Sequence, residues 1–167
     1  MALLTVAASL LLLQGGAIQH PLLADAYRSA QKENKVVFVK FGASWCGPCR
    51  RLEAVLDRPD VQPIWKRNFV TVKVVVDESG DKVKLNSPGG NDLRKRLGGD
   101  GQGIPYFAFL RPDGKLLGTS MMSSKQNMGC PMTPEEIAEF MGALAKVRPG
   151  IPRAELQTIK QAFENAG

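Results

Sequence analysis

The chain is short of the residues that build metal centres. It has one histidine, His20, and three cysteines in 167 residues, so a zinc site, which needs four ligands, has few donors to draw on. Residues 1–19 lack any charged side chain, yet the apolar run inside them, residues 2–13, is too short for a comfortable membrane span. There is no arginine-rich run with interleaved aromatics. The net charge of +6 is scattered among acids, which argues against a nucleic-acid partner and for a solvated, mildly basic surface. With 44% apolar and 23% charged residues the composition is ordinary for a globular protein. The length suits one domain and leaves no room for two large ones.

The apolar run ends in Gln14-Gly15-Gly16-Ala17, whose small residues suit a cleavage site. Residues 1–19 therefore read as a signal peptide cut after Ala17, as an uncleaved anchor, or as part of a longer signal; the lysine or arginine usual near the start of such a segment is missing. All three readings put the chain outside the cytoplasm, in a periplasm or secreted. No cysteine stands near the cut, which argues against a lipoprotein anchor. The domain division that follows is leader 1–19, globular domain 20–148 and a helical extension 149–167.

What the chain does have is Trp45-Cys46-Gly47-Pro48-Cys49, directly after the unbroken apolar stretch of residues 36–41. That stretch reads as a strand buried on both faces, and the helix that follows it runs through Leu52, Val55 and Leu56 until Arg58-Pro59 stops it. A Cys-x-x-Cys pair entering a helix places the first sulfur near unpaired amides and the positive end of the helix dipole, which favours thiolate over thiol. Cys46 is then the exposed nucleophile. Cys49, one turn further in, is the resolving thiol that attacks a mixed disulfide. Two other readings stay open, a zinc half-site and an inert structural disulfide; the loop between these cysteines is so small that a cross-link there adds little stability. The redox chemistry needs neither metal nor organic cofactor, only the Cys46-Cys49 pair. Once that pair closes, Cys130 is left over in a loop before a helix, a partly shielded thiol without a role.

The motif, Gly-Pro included, resembles the thioredoxin superfamily. Gly103-Ile104-Pro105 resembles the family's cis-proline loop, and Lys73-Val74-Val75-Val76-Asp77 its central strand and lysine; together the matches cover residues 24–122 in the family's order. The stretch 41–45 and the helical lead-in are similar to extracytoplasmic thioredoxin-like proteins related to the C-terminal domain of thiol-disulfide interchange proteins. The resemblance implies an α/β thioredoxin-like fold, with a central mixed sheet flanked by helices, to which this chain adds a C-terminal helix. It also implies a cis Pro105 against the redox pair, with Gly103, Ile104 and Pro105 presenting backbone groups to an extended substrate. Trp45, Gly47, Pro48, Lys40 and Lys73 support the site. Trp45 either shields the pair and offers partners a flat contact or packs in the core. One position departs from the pattern: six residues before the first cysteine the family places a buried aspartate that helps proton transfer at the second, and this chain has Lys40. Its amine must either snorkel to solvent, the reading we prefer, or sit close to Cys49 and Lys73.

The remaining elements follow from periodicity. Leu22, Leu23, Ala26, Tyr27 and Ala30 recur at helical spacing, residues 61–68 suggest a short helix, and residues 69–77 a strand parallel to the first. Residues 78–103, with seven glycines, read as a long irregular surface insertion holding one helical island at 91–97. Residues 106–110 and 115–120 flank Arg111-Pro112-Asp113-Gly114 as a hairpin. Thr133-Pro134-Glu135-Glu136 opens a helix whose stripe Ile137, Phe140, Met141, Leu144 and Val147 should cover the sheet, and Leu156, Ile159 and Phe163 mark a last amphipathic helix.

The leading functional expectation is a monomeric thiol-disulfide oxidoreductase. Its partners would be protein disulfides or dithiols, and a membrane thiol-disulfide electron donor would reset it. The alternative is a binding or chaperone-like module that uses the cis-proline groove without turnover. A peroxidase is the weakest reading, because nothing around Cys46 resembles a peroxidatic site. Substrate identity and the direction of electron flow are not written in the sequence.

Overall fold

The structure is a computed structural model in which residues 16–166 are described. Residues 1–15 of the leader assigned to 1–19 lie outside them. Strand β1 (Val36–Gly42) is central, with β2 (Phe69–Val75) parallel on one side and β3 (Tyr106–Leu110) antiparallel on the other, and β4 (Leu116–Thr119) pairs antiparallel with β3. The order β2-β1-β3-β4 is the mixed sheet that the sequence leads one to expect. Six helices flank it: α1 (Ala24–Glu33), α2 (Gly47–Leu56), α3 (Gln62–Asn68), α4 (Gly90–Arg96), α5 (Pro134–Val147) and α6 (Arg153–Glu164).

Alternation along β1 divides the core. Val36 and Phe38 point into a layer with Leu52 of α2, Trp65 of α3, Phe140 of α5 and Phe163 of α6. Val37, Val39 and Phe41 point into the other layer, with Leu23, Ala26 and Tyr27 on one side and Leu93 and Leu97 on the other. Because both faces are covered, the strand needs no polar face, which explains its unbroken apolar sequence. Helix α5 starts as the sequence predicts: Thr133 Oγ1 accepts from the Glu136 N–H while the Glu136 carboxylate accepts from the Thr133 N–H. The hairpin turn closes through the Gly114 N–H on the Arg111 carbonyl, and Gly114 has φ +87°. A side chain there would also meet the Ile18 oxygen at 2.9 Å, so glycine is required twice over.

Three expectations change. Residues 78–103 are not a flexible insertion. They fold into a 3-10 turn (Gly80–Leu85) and α4, and Leu93 and Leu97, one helical turn apart, are fully buried against Val74, Val76 and Tyr106. Strand β2 stops at Val75, because Asp77 takes φ +58° and turns the chain. Ile18 and Gln19, counted with the leader, are tied to the domain: the Ile18 N–H donates to the Gly114 carbonyl at 2.9 Å, and the Tyr27 hydroxyl donates to the Ile18 carbonyl at 2.6 Å. Among the described residues no helix is long and apolar enough to cross a membrane.

Candidate active site

Strand β1 delivers the chain to the loop of residues 43–45, and Cys46 then caps α2. Its sulfur accepts the Cys49 N–H at 3.1 Å, taking one of the amides that a helix start leaves unpaired. Pro48 stands in the first turn, where its missing N–H costs nothing. Cys46 and Cys49 form a disulfide across a Cα separation of 5.3 Å. The Ile104–Pro105 peptide is cis, and the Ile104 carbonyl oxygen lies 3.7 Å from Cys46 Sγ. The geometry thus brings together the residue pair and the proline loop that lie nearly sixty positions apart in sequence.

The expectation of an exposed Cys46 needs correction. It is 2% exposed, against 9% for Cys49, because the disulfide folds it in under the proline loop. Trp45 is instead the open residue, 58% exposed, with its indole N–H donating to the Asp77 carbonyl at 3.0 Å. A core-packing role for Trp45 is excluded.

Lys40 is also not as expected. Its side chain does not snorkel to water; it is buried and paired with Glu53, to which Lys73 also reaches at 3.2 Å. The reason is register. Lys40 and Lys73 are direct neighbours across β1 and β2, and Glu53, one turn after Cys49 on α2, brings a carboxylate to meet both. Desolvation draws the Lys40 amine below the usual lysine range, against the pull of Glu53. Burial acts to raise the Glu53 carboxyl, but its bonds to Lys40 and Lys73 outweigh that and hold it below the usual range.

Other residues that sequence reasoning missed hold the loops in place. The buried carboxylate of Glu78 accepts from both the N–H and the hydroxyl of Ser44, two positions before Cys46, and the Arg50 guanidinium donates to the Ser44 carbonyl at 2.8 Å. The Asn127 amide donates to the carbonyls of Gly103 at 2.8 Å and Pro105 at 3.1 Å, tying down both sides of the cis peptide. Neither residue carries a local sequence signal. A cleft of about 350 Å³ opens beside the disulfide, where Cys49, Pro105, Lys40, Glu53, Lys73 and Glu78 line it. His20 lies elsewhere and caps the 3-10 turn at the start of α1, where its Nδ1 accepts the Leu22 N–H at 3.2 Å.

Cys130 is 5% exposed among apolar side chains, and burial pushes its thiol up to about 11. At neutral pH the thiol form prevails. Limiting iodoacetamide should therefore alkylate Cys46 of the reduced protein and spare Cys130, as read by peptide mapping. Earlier labelling of Cys130 would overturn the assignment of Cys46 as the reactive thiol.

Comparison with known proteins agrees with this layout. The family model described as Thioredoxin-like matches residues 18–112. A thioredoxin of Coprinus comatus is 30% identical over 57 residues, which are 34% of this chain and 53% of that protein, so the chain spans about half the length of the curated relative it matches. Among solved structures, a DsbH oxidoreductase aligns with a TM-score of 0.51 at 17% identity, covering 89% of this chain and 86% of that one, a likeness of fold. The C-terminal domain of Neisseria meningitidis DsbD in the oxidised form aligns at 25% identity and a TM-score of 0.43, over 59% of this chain and 78% of that one.

Proposed function

Because the chain belongs to the thioredoxin-like family, we propose that it is an extracytoplasmic thiol-disulfide oxidoreductase that reduces or exchanges disulfides in protein partners. The observation that carries this reading is the joined sulfur pair at the start of α2 beneath the Ile104 carbonyl. Export is supported by the charge-free apolar run of residues 2–13.

In the reducing direction, the Cys46 thiolate attacks one sulfur of a partner disulfide. A bond forms between Cys46 and the partner, and the partner's other sulfur leaves as a thiolate that takes a proton from water. The Cys49 thiolate then attacks Cys46 Sγ, the mixed disulfide breaks, and the partner departs as a dithiol. The partner gains two electrons and two protons, while this chain becomes the disulfide. Its reset requires a dithiol donor, a role that suits a membrane thiol-disulfide transporter. The exposed Trp45 offers the partner chain a flat apolar contact, and the Ile104 carbonyl beside Cys46 Sγ a backbone acceptor.

The test is insulin reduction with dithiothreitol as terminal donor. The wild type should accelerate precipitation of the insulin B chain, and Cys46→Ser should return the rate to the uncatalysed background. An inactive wild type would sink the enzyme reading and leave the groove as a binding site, to be judged by suppression of aggregation of an unfolded client.

A further inference from the structure

On β1, Lys40 and Gly42 share one face, and Cys49 covers it. A Cβ placed on Gly42 would stand 3.1 Å from Cys49 Sγ, so glycine there is what lets the sulfur settle on the strand. Lys40 is the next position along that face, about 7 Å away at strand spacing. From the helix side, Glu53 follows Cys49 by one turn and bonds the Lys40 amine. Lys40, Cys49 and Glu53 all line the same cleft.

We propose that Lys40, held as an ammonium by Glu53, is the fixed charge that stabilises the Cys49 thiolate, so that this site promotes resolution with a cation and not with a carboxylate base. The proposal rests on the thiol-disulfide reading above. The groups that face Lys40 are Glu53 and Asp57 from α2 and Lys73 from β2, with Arg50 and Glu78 also on the cleft and Lys66 on the far side of the Glu53 cluster. Lys40 is the buried cation of this cluster, whereas Lys73 and Glu53 are more exposed and more screened by water. Glu53 is a poor proton acceptor, because two ammonium groups stabilise its ionised form. Its part is positional. The Glu53 bond pulls the Lys40 amine up against the desolvation that draws it down, and so favours its charged form. During resolution the Cys49 proton passes to water in the cleft, the thiolate attacks Cys46 Sγ, and the departing partner sulfur recovers a proton from solvent.

The experiment titrates Cys49 alone in the full chain carrying Cys46→Ser, following the Cys49 Cβ carbon shift by NMR, with Lys40, Lys40→Arg, Lys40→Met or Lys40→Gln. Lys40→Met should raise the Cys49 pKa by about one, a tenfold loss of thiolate at neutral pH. Lys40→Arg, which keeps the charge, should hold it near wild type. An unchanged or lowered Cys49 pKa in Lys40→Met would overturn the proposal. If Lys40→Met does not fold, Lys40→Gln, which removes the charge but keeps a polar group on the cleft, decides in the same way. Insulin reduction by the wild type is run alongside: its failure would sink the functional reading, whereas the titration reports on the charge by itself.

Discussion

Replacing Cys49 by serine should turn a catalyst into a trap. Incubated with insulin, the variant should accumulate a Cys46-linked adduct on non-reducing gels that persists until dithiothreitol is added, and its multiple-turnover rate should fall to background. The geometry assigns these roles. Cys46 Sγ receives the Cys49 N–H at the helix start, so the helix stabilises its thiolate and makes it the sulfur that both attacks and leaves. Cys49 lies over Gly42 on the strand side, within bonding reach of Cys46 Sγ and so well placed to strike a mixed disulfide held there. With Cys49 gone, only an external thiol can release the adduct, and the Ile104–Pro105 loop packed beside Cys46 limits its approach. Adducts on Cys46→Ser with none on Cys49→Ser would exchange the two roles.

The parts of this site that lie in one stretch of chain were readable without a structure. Residues 36–41 announce a doubly covered strand, the five-residue motif announces the helix start, and Thr133 with Glu136 announces α5, because each is governed by neighbours within a few positions. Residues whose environment is assembled from distant segments escaped. On sequence alone Glu53 and Glu78 look like solvated helix and loop acids. Only the fold reveals that one meets Lys40 and Lys73 and the other clasps Ser44. Asn127 ties down a proline 22 positions away. The segment 78–103 misled for a different reason: seven glycines suggest irregularity, while its two anchoring leucines are too few to register as a periodic face. For Lys40, strand alternation fixed the face correctly but not the partner that waits there.

The C-terminal extension is the place where a division read from sequence and the packing of the chain differ most in energy. Residues 149–167 lie beyond the unit that the motifs cover, yet Ile151, Ile159, Ala162 and Phe163 are all buried in the layer that includes Phe38 and Phe140. Phe163 is 1% exposed, with its ring centroid 5.0 Å from that of Phe140 in an edge-on arrangement. Phe140 in turn reaches Phe107 of β3 at 5.7 Å, so α6 is joined to the sheet through one aromatic chain. Truncating such a ring removes its burial and leaves a cavity between α5 and α6, a loss of about 3–5 kcal/mol. Against a total stability on the order of 5–15 kcal/mol, that is a large fraction of what holds the domain folded. Phe163→Ala should accordingly lower the urea midpoint with little change in slope, and removal of residues 149–167 should leave Phe140 uncovered and the chain unfolded or aggregated. A loss below about 1 kcal/mol for Phe163→Ala, or a truncated chain that unfolds at the wild-type midpoint, would mean that α6 rests on the domain without stabilising it.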